Sequence, residues 1–570
     1  MKNLNLIRQN IQYDTDQIEK ISVELDPNFN GTLSLKDLIV NKKENEVKIY
    51  DRVCDHAGGR LITNNNDEVI CTLHKWRFNP EKGTYNSDNV KKNELTFNKK
   101  NESTYEVELQ NKSIVLPEFK SDKDIEIKFL NHASLMVTTA DFKFVTDPWL
   151  TGSAFSTGWW LKYKSPDNWV EDLNSCDFLF ISHTHPDHLH PETLSFVDKN
   201  IEILIADFDS QSTENYLRSL GFNNIIKLKH DESLIDHDKE IYFSVLKSGD
   251  FRDDSGLLMK YGKFSSLFNV DSNYLNYFQL PKSLTVVASS FAGGAGAYPV
   301  CFDDLNETQK SKGQQTKINS LKVLTSKLIE KTSPDYFMPY AGFFEEKAKR
   351  DIYIKDMNKK NTIKDYDAFE SKYNLKVLNL TLRNKFLFSG DILIKSELIH
   401  DKEIMLNDEQ TELVISEFKK ENQLLDDTHI SQYFKASNFY EDLNLIISLT
   451  DDNFNENDKA ILVEFSKDED PKVNFNFYEK DLLKVYESNN KNTLKLKIRK
   501  EAFVFAIKNL EPWENITIGF QARFTRFPDV YNSKFWHHFT DIYTKHKAVR
   551  LAKECTGCEL IVQTFTSKVS

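Results

Sequence analysis

The chain has 570 residues, of which 39% are hydrophobic, and a formal net charge of -13. So acidic a chain is a poor binder of phosphate backbones, and we expect no nucleic-acid partner. It contains no run of about 18 apolar residues, and its first residues lack the apolar core of a secretion signal. We therefore expect a cytoplasmic protein with no membrane partner, built from about three domains at roughly 100 to 200 residues per domain.

Residues 1–115 form the first predicted domain. Short alternating segments are separated by turns such as "NFNGTL" and "NPEKGTY". This pattern is typical of a small all-β domain that presents loops. The linker "LPEFKSDKD" follows it.

Two of the six cysteines lie in this domain, and a histidine closely follows each of them. Cys54 and His56 come first, and Cys71 and His74 follow after fourteen intervening residues. In a Rieske centre two thiolates hold one iron and two imidazoles hold the other, so each Cys/His pair comes from one tight loop. The order therefore predicts a 2Fe-2S Rieske cluster. A Cys2His2 zinc site is the alternative, although zinc fingers group Cys with Cys and His with His.

Residues 125–395 form the second predicted domain. Strand-like segments such as "IEIKF", "DFLFIS" and "SLTVVASS" recur, and helical stretches such as "KINSLKVLTSKLIEK" follow. This order predicts an α/β sandwich. Residues 396–570 are mixed and charged, and we expect an α/β region that completes the site or an interface. The predicted class is thus a multidomain α+β protein.

A second motif with metal-ligand chemistry lies in the sandwich. The apolar strand "DFLFIS" leads directly into His183, His185, Asp187 and His188, with His190 just outside the pattern. The His-x-His-x-Asp-His order resembles the metallo-β-lactamase fold, an αββα sandwich in which a loop after a strand gathers imidazoles and a carboxylate around one or two metals. That resemblance implies that these four side chains bind metal. A surface histidine run is the alternative, but such a run has no reason to follow an apolar strand.

In that fold, further ligands come from the ends of later strands. The strand "YFSVLKSGD" ends at Asp250 and "SSLFNVD" ends at Asp271, and both carboxylates are candidate ligands. A turn residue or a helix cap is the alternative for Asp250. An oxygen-rich ligand set favours iron or manganese over zinc. His132 precedes another strand, and we expect it to contact the ligands rather than the metal.

The two motifs and several further segments resemble the CMP-N-acetylneuraminate monooxygenase (hydroxylase) family and the related bacterial UDP-N-acetylmuramate hydroxylases. Segments such as "TDPWLTGSAFSTGWWL", "SSFAGGAGAYP", "PYAGFF" and "IGFQARFTRFPDVYNSKFWHHF" are similar to that family. The resemblance covers nearly the whole chain, and the last segment is the most specific because no general property of a fold demands it. Asp250 departs from the pattern, since the family is expected to have histidine there.

The resemblance implies hydroxylation of the N-acetyl methyl of a nucleotide-linked sugar, CMP-N-acetylneuraminate-like, to N-glycolyl. The reaction needs O2, one or two non-haem irons, and electrons relayed by the Rieske cluster from an external donor such as a ferredoxin or cytochrome b5 with its reductase. Attack on a strong C–H bond requires activated oxygen and single electrons, which these two centres supply. The alternatives are a metal-dependent hydrolase of the same fold and a di-iron reductase of O2 or NO.

Other residues are weaker candidates for supporting the metal ligands or for contact with the substrate. Two tryptophans can stack on a base or sugar, and two glycines allow close approach of a phosphate. Two arginines can pair with a diphosphate or carboxylate, and one histidine near the C-terminal end can face the site. Core packing and structural ion pairs are the alternatives. These candidates are Trp159, Trp160, Gly293, Gly294, Arg523, Arg526 and His538.

Overall fold

The computed structural model contains an N-terminal β region, a central sandwich and a C-terminal α/β region, so the predicted multidomain α+β class is confirmed. The domain limits at 115, 125 and 395 stay predictions. Side chains of 15–19, 109–111, 533 and 537 are not described. The described residues are 1, 4–35, 37–44, 46–54, 61–63, 68–71, 76–85, 91–208, 210–249, 252–398, 408–423, 425–478 and 491–539.

Small antiparallel sheets make up the N-terminal β region as far as it is described. The first has the order Phe97–Lys99, Thr104–Val115 and Gln12–Glu24; the second has Gly31–Leu35, Leu38–Lys43 and Glu46–Asp51; the third has Leu61–Thr63, Val69–Cys71, Arg77–Asn79 and Thr84–Tyr85. In Leu38–Lys43 the consecutive residues Leu38, Ile39 and Val40 are all buried, so both faces of this strand are covered: Ile39 packs in the core of Cys54 and Cys71, and Leu38 and Val40 pack in a second core. The third sheet ends one of its strands at Cys71.

The strand nearest the start of the chain belongs to a different sheet. Ile7–Asn10 pairs antiparallel with Glu232–Asp236, at the edge of the central sandwich. The chain therefore begins in the sandwich, crosses to the small β sheets and returns at Asp124–Asn131.

Two mixed sheets, each of eight strands within the described residues, form the sandwich. The first has the order Ile225–Leu228, Glu202–Ala206, Phe178–Ile181, Lys143–Thr146, Ser134–Thr138, Asp124–Asn131, Arg383–Ser389 and Ile392–Leu398. The second has the order Ile7–Asn10, Glu232–Asp236, Ile241–Lys247, Ser255–Tyr261, Phe264–Val270, Val286–Ser290, Tyr336–Tyr340 and Lys376–Val377. Their inner faces meet in an aromatic core in which Phe144 stacks on Phe178 and the edge of Phe243 contacts both rings.

Helices cover both outer faces of the sandwich. The helices Trp169–Asn174, Pro191–Ser195 and Ser212–Ser219 bury leucines against the first sheet. Helix Glu307–Thr332 packs on the second sheet, and Asn306 begins it with a capping box that Gln309 completes. The architecture is therefore αββα. Further short elements occur before and after helix Glu307–Thr332 in the chain. They are Ser153–Ala154, Trp159–Leu161, Leu275–Phe278, Phe344–Glu345, Lys349–Asp351, Ile352–Met357, Ile363–Tyr366 and Ala368–Tyr373.

The C-terminal region is a mixed sheet packed with helices. Its strands have the order Lys472–Tyr478, Lys459–Phe465, Leu443–Thr450, Asn492–Arg499 and Ala522–Phe527, and its helices are Asp408–Glu421, Asp427–Ala436, Lys500–Asn509, Trp513–Ile518 and Ser533–His537. Its core is continuous with the sandwich, because Trp159 and Phe344 pack in the same cluster as Trp513. None of the helices in the described part of the chain combines the length and apolar character needed to cross a membrane.

Candidate metal centre and its cavity

Polar side chains gather where strands of the sandwich end. His132, Asp147 and Asp271 each directly follow a strand, and His183 lies two residues after another. His132 and Asp147 both have φ 37°, and Val270 before Asp271 has φ 54°. Left-handed backbone is unfavourable for residues with a Cβ and often marks functional sites. These turns bring side chains from separate strands to one edge of the sandwich.

The gathered donors form two overlapping groups that share His188. In each group the donor atoms lie within 4.8 Å of one another; one group adds His132 and Asp187, and the other adds His183 and Asp271. His188 Nε2 is 3.3 Å from Asp187 Oδ2 and 3.5 Å from Asp271 Oδ2, and His132 Nε2 is 3.3 Å from Asp187 Oδ2. Imidazole nitrogen and carboxylate oxygen at this spacing suit iron, manganese or zinc.

Several of these donor atoms are buried without a hydrogen bond among the described residues. These atoms are Nδ1 and Nε2 of His132, Oδ1 of Asp187, Nε2 of His188 and Oδ1 of Asp271. A buried polar atom without a partner is costly, and such atoms are rarely found together unless a ligand satisfies them. The donor set therefore fits a bound metal.

The electrostatics of the cluster favour the protonation states of His183 and Asp187 that bind metals. Burial, with the charges of His188 and His185, holds the pKa of His183 well below its ordinary value, so this imidazole is neutral. Burial opposes ionisation of Asp187, but the charge of His188 and the close approach of the His132 ring outweigh it and hold the Asp187 pKa well below its usual range. Neutral imidazole and ionised carboxylate are the forms that coordinate metals.

Asp147 orients His188 from behind. Its Oδ2 lies 3.2 Å from His188 Nδ1, and its two oxygens accept hydrogen bonds from the backbone N–H and the hydroxyl of Ser182 at 2.7 and 2.8 Å. A carboxylate on Nδ1 fixes the proton there and leaves Nε2 to face the metal. No motif in the sequence pointed to Asp147, although it follows a strand just as Asp271 does.

Replacing Asp147 by asparagine should lower metal affinity by about 10–100-fold, because the amide no longer holds the Nδ1 proton of His188. Competition against a chelator measures this loss. Asp172→Asn is the matched control, since this buried carboxylate of the same sandwich pairs with Lys128 at 2.8 Å. Equal metal affinity in both variants would show that Asp147 does not orient a ligand.

His185 belongs to neither donor group in the described structure. Its Nδ1 lies 2.8 Å from His183 Nε2, and its Nε2 lies 3.5 Å from Glu514 Oε2. Burial opposes a charge on His185, but the hydrogen bond and charge of Glu514 raise its pKa. Glu514 comes from helix Trp513–Ile518 in the C-terminal region, and no motif in the sequence pointed to it.

The structure describes His190, the histidine just outside the motif, but not the candidate ligand Asp250. His190 is a buried helix cap: its Nδ1 accepts a hydrogen bond from Thr193 N, its Nε2 lies 3.2 Å from Ser153 O, and burial lowers its pKa to about 4. Asp250 lies outside the described residues.

A cavity of about 330 Å³ opens from the donor cluster. His132, His185, Asp187 and Asp271 line it, as do the glycine loop with Gly293 and Gly294, the aromatic residue Trp159 and the basic residue Arg526. Helix Trp513–Ile518 and strand Ala522–Phe527 contribute to the opposite wall. The C-terminal region therefore closes a space that the sandwich alone leaves open.

Three of the remaining weaker candidates, Trp160, Arg523 and His538, do not line this cavity in the described structure. Trp160 is buried beside Ala348 and Ile415, and the ring N–H of His538 lies 2.7 Å from Ser437 O. Arg523 pairs with Asp303 and lies over aromatic rings. Trp159 lines the cavity, but Phe344 stacks on its ring at a centroid distance of 3.5 Å.

The structure describes two of the four predicted ligands of the 2Fe-2S cluster. Cys54 and Cys71 are both buried in one apolar core, at 1% and 0% exposure, whereas His56 and His74 lie outside the described residues. Trp76 belongs to the same core, and its carbonyl accepts a hydrogen bond from Cys71 N at 2.7 Å. The two buried thiol side chains fit the thiolate half of a Rieske centre.

One aromatic contact joins this core to the cavity. The ring of Trp76 lies 6.0 Å from the ring of Tyr531, measured between centroids, and Tyr531 also lines the cavity. The cysteine core and the cavity lined by the candidate metal ligands are therefore neighbours in the folded chain.

Comparisons with known families agree with this division of the chain. Residues 18–98 match the Rieske (2Fe-2S) domain family, and residues 126–245 match a beta-lactamase superfamily domain. The chain joins a Rieske domain to a β-lactamase superfamily domain.

Similarity to curated proteins extends over almost the whole chain. The cytidine monophosphate-N-acetylneuraminic acid hydroxylase of Mus musculus is 27% identical over 548 residues, covering 90% of this chain and 92% of the mouse protein. The protein of the same name from Pongo pygmaeus is 28% identical over 558 residues, covering 90% and 91%. The resemblance to this hydroxylase family predicted from the sequence is confirmed.

Solved structures share a more distant likeness. CmlA, a diiron beta-hydroxylase from Streptomyces venezuelae, is 17% identical with a TM-score of 0.33 and covers 49% of this chain and 55% of its own. An isothiocyanate hydrolase from Delia radicum gut bacteria is also 17% identical, with a TM-score of 0.32, and covers 48% of this chain and all of its own.

Proposed function

We propose that this chain is a Rieske-dependent monooxygenase that hydroxylates the N-acetyl methyl of a nucleotide-linked sugar, CMP-N-acetylneuraminate-like, to an N-glycolyl group. The observation that carries the proposal is that the donor cluster and Tyr531, which contacts the cysteine core, line the same cavity. The relatives named as hydroxylases of a CMP-linked sialic acid support the substrate class.

The proposed ligands follow from the donors. Cys54, His56, Cys71 and His74 would hold the 2Fe-2S cluster. The second metal centre, with one or two irons, would take His183, His185, Asp187, His188, Asp250 and Asp271, and the geometry adds His132 because its ring nitrogens are buried without hydrogen bonds among the described residues. When bound, the cluster supplies electrons one at a time and the non-haem iron activates O2.

The chain's own residues would bind and position the substrate. The glycine loop and the aromatic wall enclose it, and the buried donor cluster keeps bulk water away from the reacting methyl. Glu514 and His185 face the cavity as a hydrogen-bonded pair, so they are placed to hold a proton beside the reacting group.

Neither alternative function accounts for all of these features. A metal-dependent hydrolase would use the donor cluster but would have no role for a Rieske domain. A di-iron reductase of O2 or NO would use both centres but would need no cavity of about 330 Å³ for an organic substrate. The hydroxylase uses the cluster, the metal centre and the cavity together.

Oxygen uptake should depend on the substrate. With a ferredoxin or cytochrome b5 system as the external electron donor, we expect O2 and reductant to be consumed together when CMP-N-acetylneuraminate or a UDP-linked N-acetyl sugar is present. Free N-acetylneuraminate, which lacks the nucleotide, is the control. Equal uptake with and without every nucleotide sugar would favour the reductase.

A further inference from the structure

Arg526 lies in the cavity wall and contacts none of the candidate metal ligands in the described structure. Its side chain is 6% exposed, and its guanidinium lies over the ring of Phe302 at 4.8 Å. Its polar contacts are to Asp529, through the side chain, and to Asp304, through its backbone N–H. None of these contacts in the described structure involves a candidate metal ligand.

The guanidinium retains an unused donor. Arg526 Nε is buried and makes no hydrogen bond among the described residues. Its partner Asp529 is 68% exposed, and an ion pair open to solvent on one side contributes little. A buried cation with a free N–H in a cavity wall is what an anionic group of a ligand would satisfy.

The other basic side chains of the cavity are already engaged. Lys317 Nζ donates to the carbonyls of Ala295, Gly296 and Tyr298 at 2.6, 3.3 and 3.0 Å, so it holds the glycine loop in place. Arg252 pairs with Asp254 at 3.0 Å. Arg526 is therefore the side chain best placed to meet an anion.

The surroundings of Arg526 suit a nucleotide rather than a small anion alone. Phe302, over whose ring Arg526 lies, packs against Tyr298 and Phe524, and Phe524 packs against Trp536. These rings and Tyr531 line the cavity. Aromatic faces accept a base or a ribose, and the low local dielectric strengthens a bond between guanidinium and phosphate.

We propose that Arg526 binds the phosphate of the substrate's nucleotide, with the nucleoside among these aromatic rings and the N-acetyl group directed to the donor cluster. This inference rests on the proposed function and adds a recognition site for a nucleoside monophosphate ester. The phosphate accepts the hydrogen bond from Nε that no described residue accepts.

Binding of CMP and cytidine to the full-length protein with its metals in place and no electron donor, measured by calorimetry, tests the site without catalysis. We expect wild type to bind CMP at least tenfold more tightly than cytidine, and Arg526→Gln to weaken CMP binding at least tenfold while cytidine binding is unchanged. Arg526→Lys should restore little of the CMP affinity, because an ammonium lacks the Nε donor at this position. Arg523→Gln is the matched control on the same strand, and it should bind CMP like wild type.

The possible results separate this inference from the proposed function. Wild-type CMP affinity in Arg526→Gln, or equal affinity of wild type for cytidine and CMP, overturns the phosphate site and leaves hydroxylation untouched. The second comparison uses wild type only, so it decides even if the variants fold poorly. If wild type binds neither CMP nor CMP-N-acetylneuraminate, both the site and the nucleotide-sugar substrate are wrong.

Discussion

Replacing Asp187 by alanine should empty the β-lactamase-like metal centre and abolish hydroxylation. Asp187 Oδ2 is 3.3 Å from both His132 and His188, so its loss removes the carboxylate that joins two imidazoles. The fall in metal affinity should exceed the ~10–100-fold typical of residues that only orient a ligand. Metal analysis, together with the electron paramagnetic resonance spectrum of the reduced protein, measures both centres, and the Rieske signal should remain.

The control for this variant is Asp198→Ala, an exposed carboxylate of the same sandwich. It should keep both metals and full turnover. If Asp187→Ala retained its metal, or if it lost the Rieske signal as well, the two centres would not be the separate sites proposed here.

Replacing Cys71 by serine should remove the 2Fe-2S cluster and stop turnover completely, while nucleotide-sugar binding persists. Binding needs no electrons, and Cys71 does not line the cavity in the described structure. The visible and paramagnetic signals of the cluster and calorimetric titration with CMP-N-acetylneuraminate measure the two effects separately.

Cys176→Ser is the matched control for the thiol. Cys176 is also buried, burial raises its pKa to about 12, and its thiol donates to Asp172 O at 3.2 Å, a bond that serine can keep. This variant should retain the cluster and its activity. Wild-type turnover in a Cys71→Ser protein without a cluster would show that electrons do not pass through the Rieske domain.

Local patterns in the sequence predicted the fold class and much of the donor cluster. An apolar strand followed by closely spaced histidines needs only neighbouring residues to be recognised, and a carboxylate after a strand needs only the strand's alternation. The resemblance of this motif to the metallo-β-lactamase fold implied His183, Asp187, His188 and Asp271 as ligands, and the structure brings these side chains together. Their role as ligands stays a prediction until metal is measured.

Contacts between distant segments could not be read from those patterns. Glu514 meets His185 across 329 positions of sequence, and the strand Ile7–Asn10 joins a sheet whose next strand is Glu232–Asp236. Such pairings depend on how whole domains pack. His132 was expected to contact the ligands rather than the metal, and only the turn at its strand end shows its ring nitrogens inside the donor cluster.

The two-residue period of a strand explains the different positions of the two arginines in strand Ala522–Phe527. Arg523 and Arg526 are three positions apart, so in a strand they point to opposite faces. The structure agrees: Arg526 lines the cavity, whereas Arg523 pairs with Asp303 outside it. The two arginines were predicted to act alike because this segment had not been predicted to be a strand.

The most direct test of the proposed function is the fate of labelled O2. When reduced protein turns over CMP-N-acetylneuraminate under ¹⁸O2, mass spectrometry should find product heavier by one labelled oxygen, located in the N-glycolyl group. The methyl is the position expected because conversion of N-acetyl to N-glycolyl adds the hydroxyl to that carbon. Label that arrives from water instead of O2, or an unchanged N-acetyl group despite oxygen uptake, would contradict the monooxygenase.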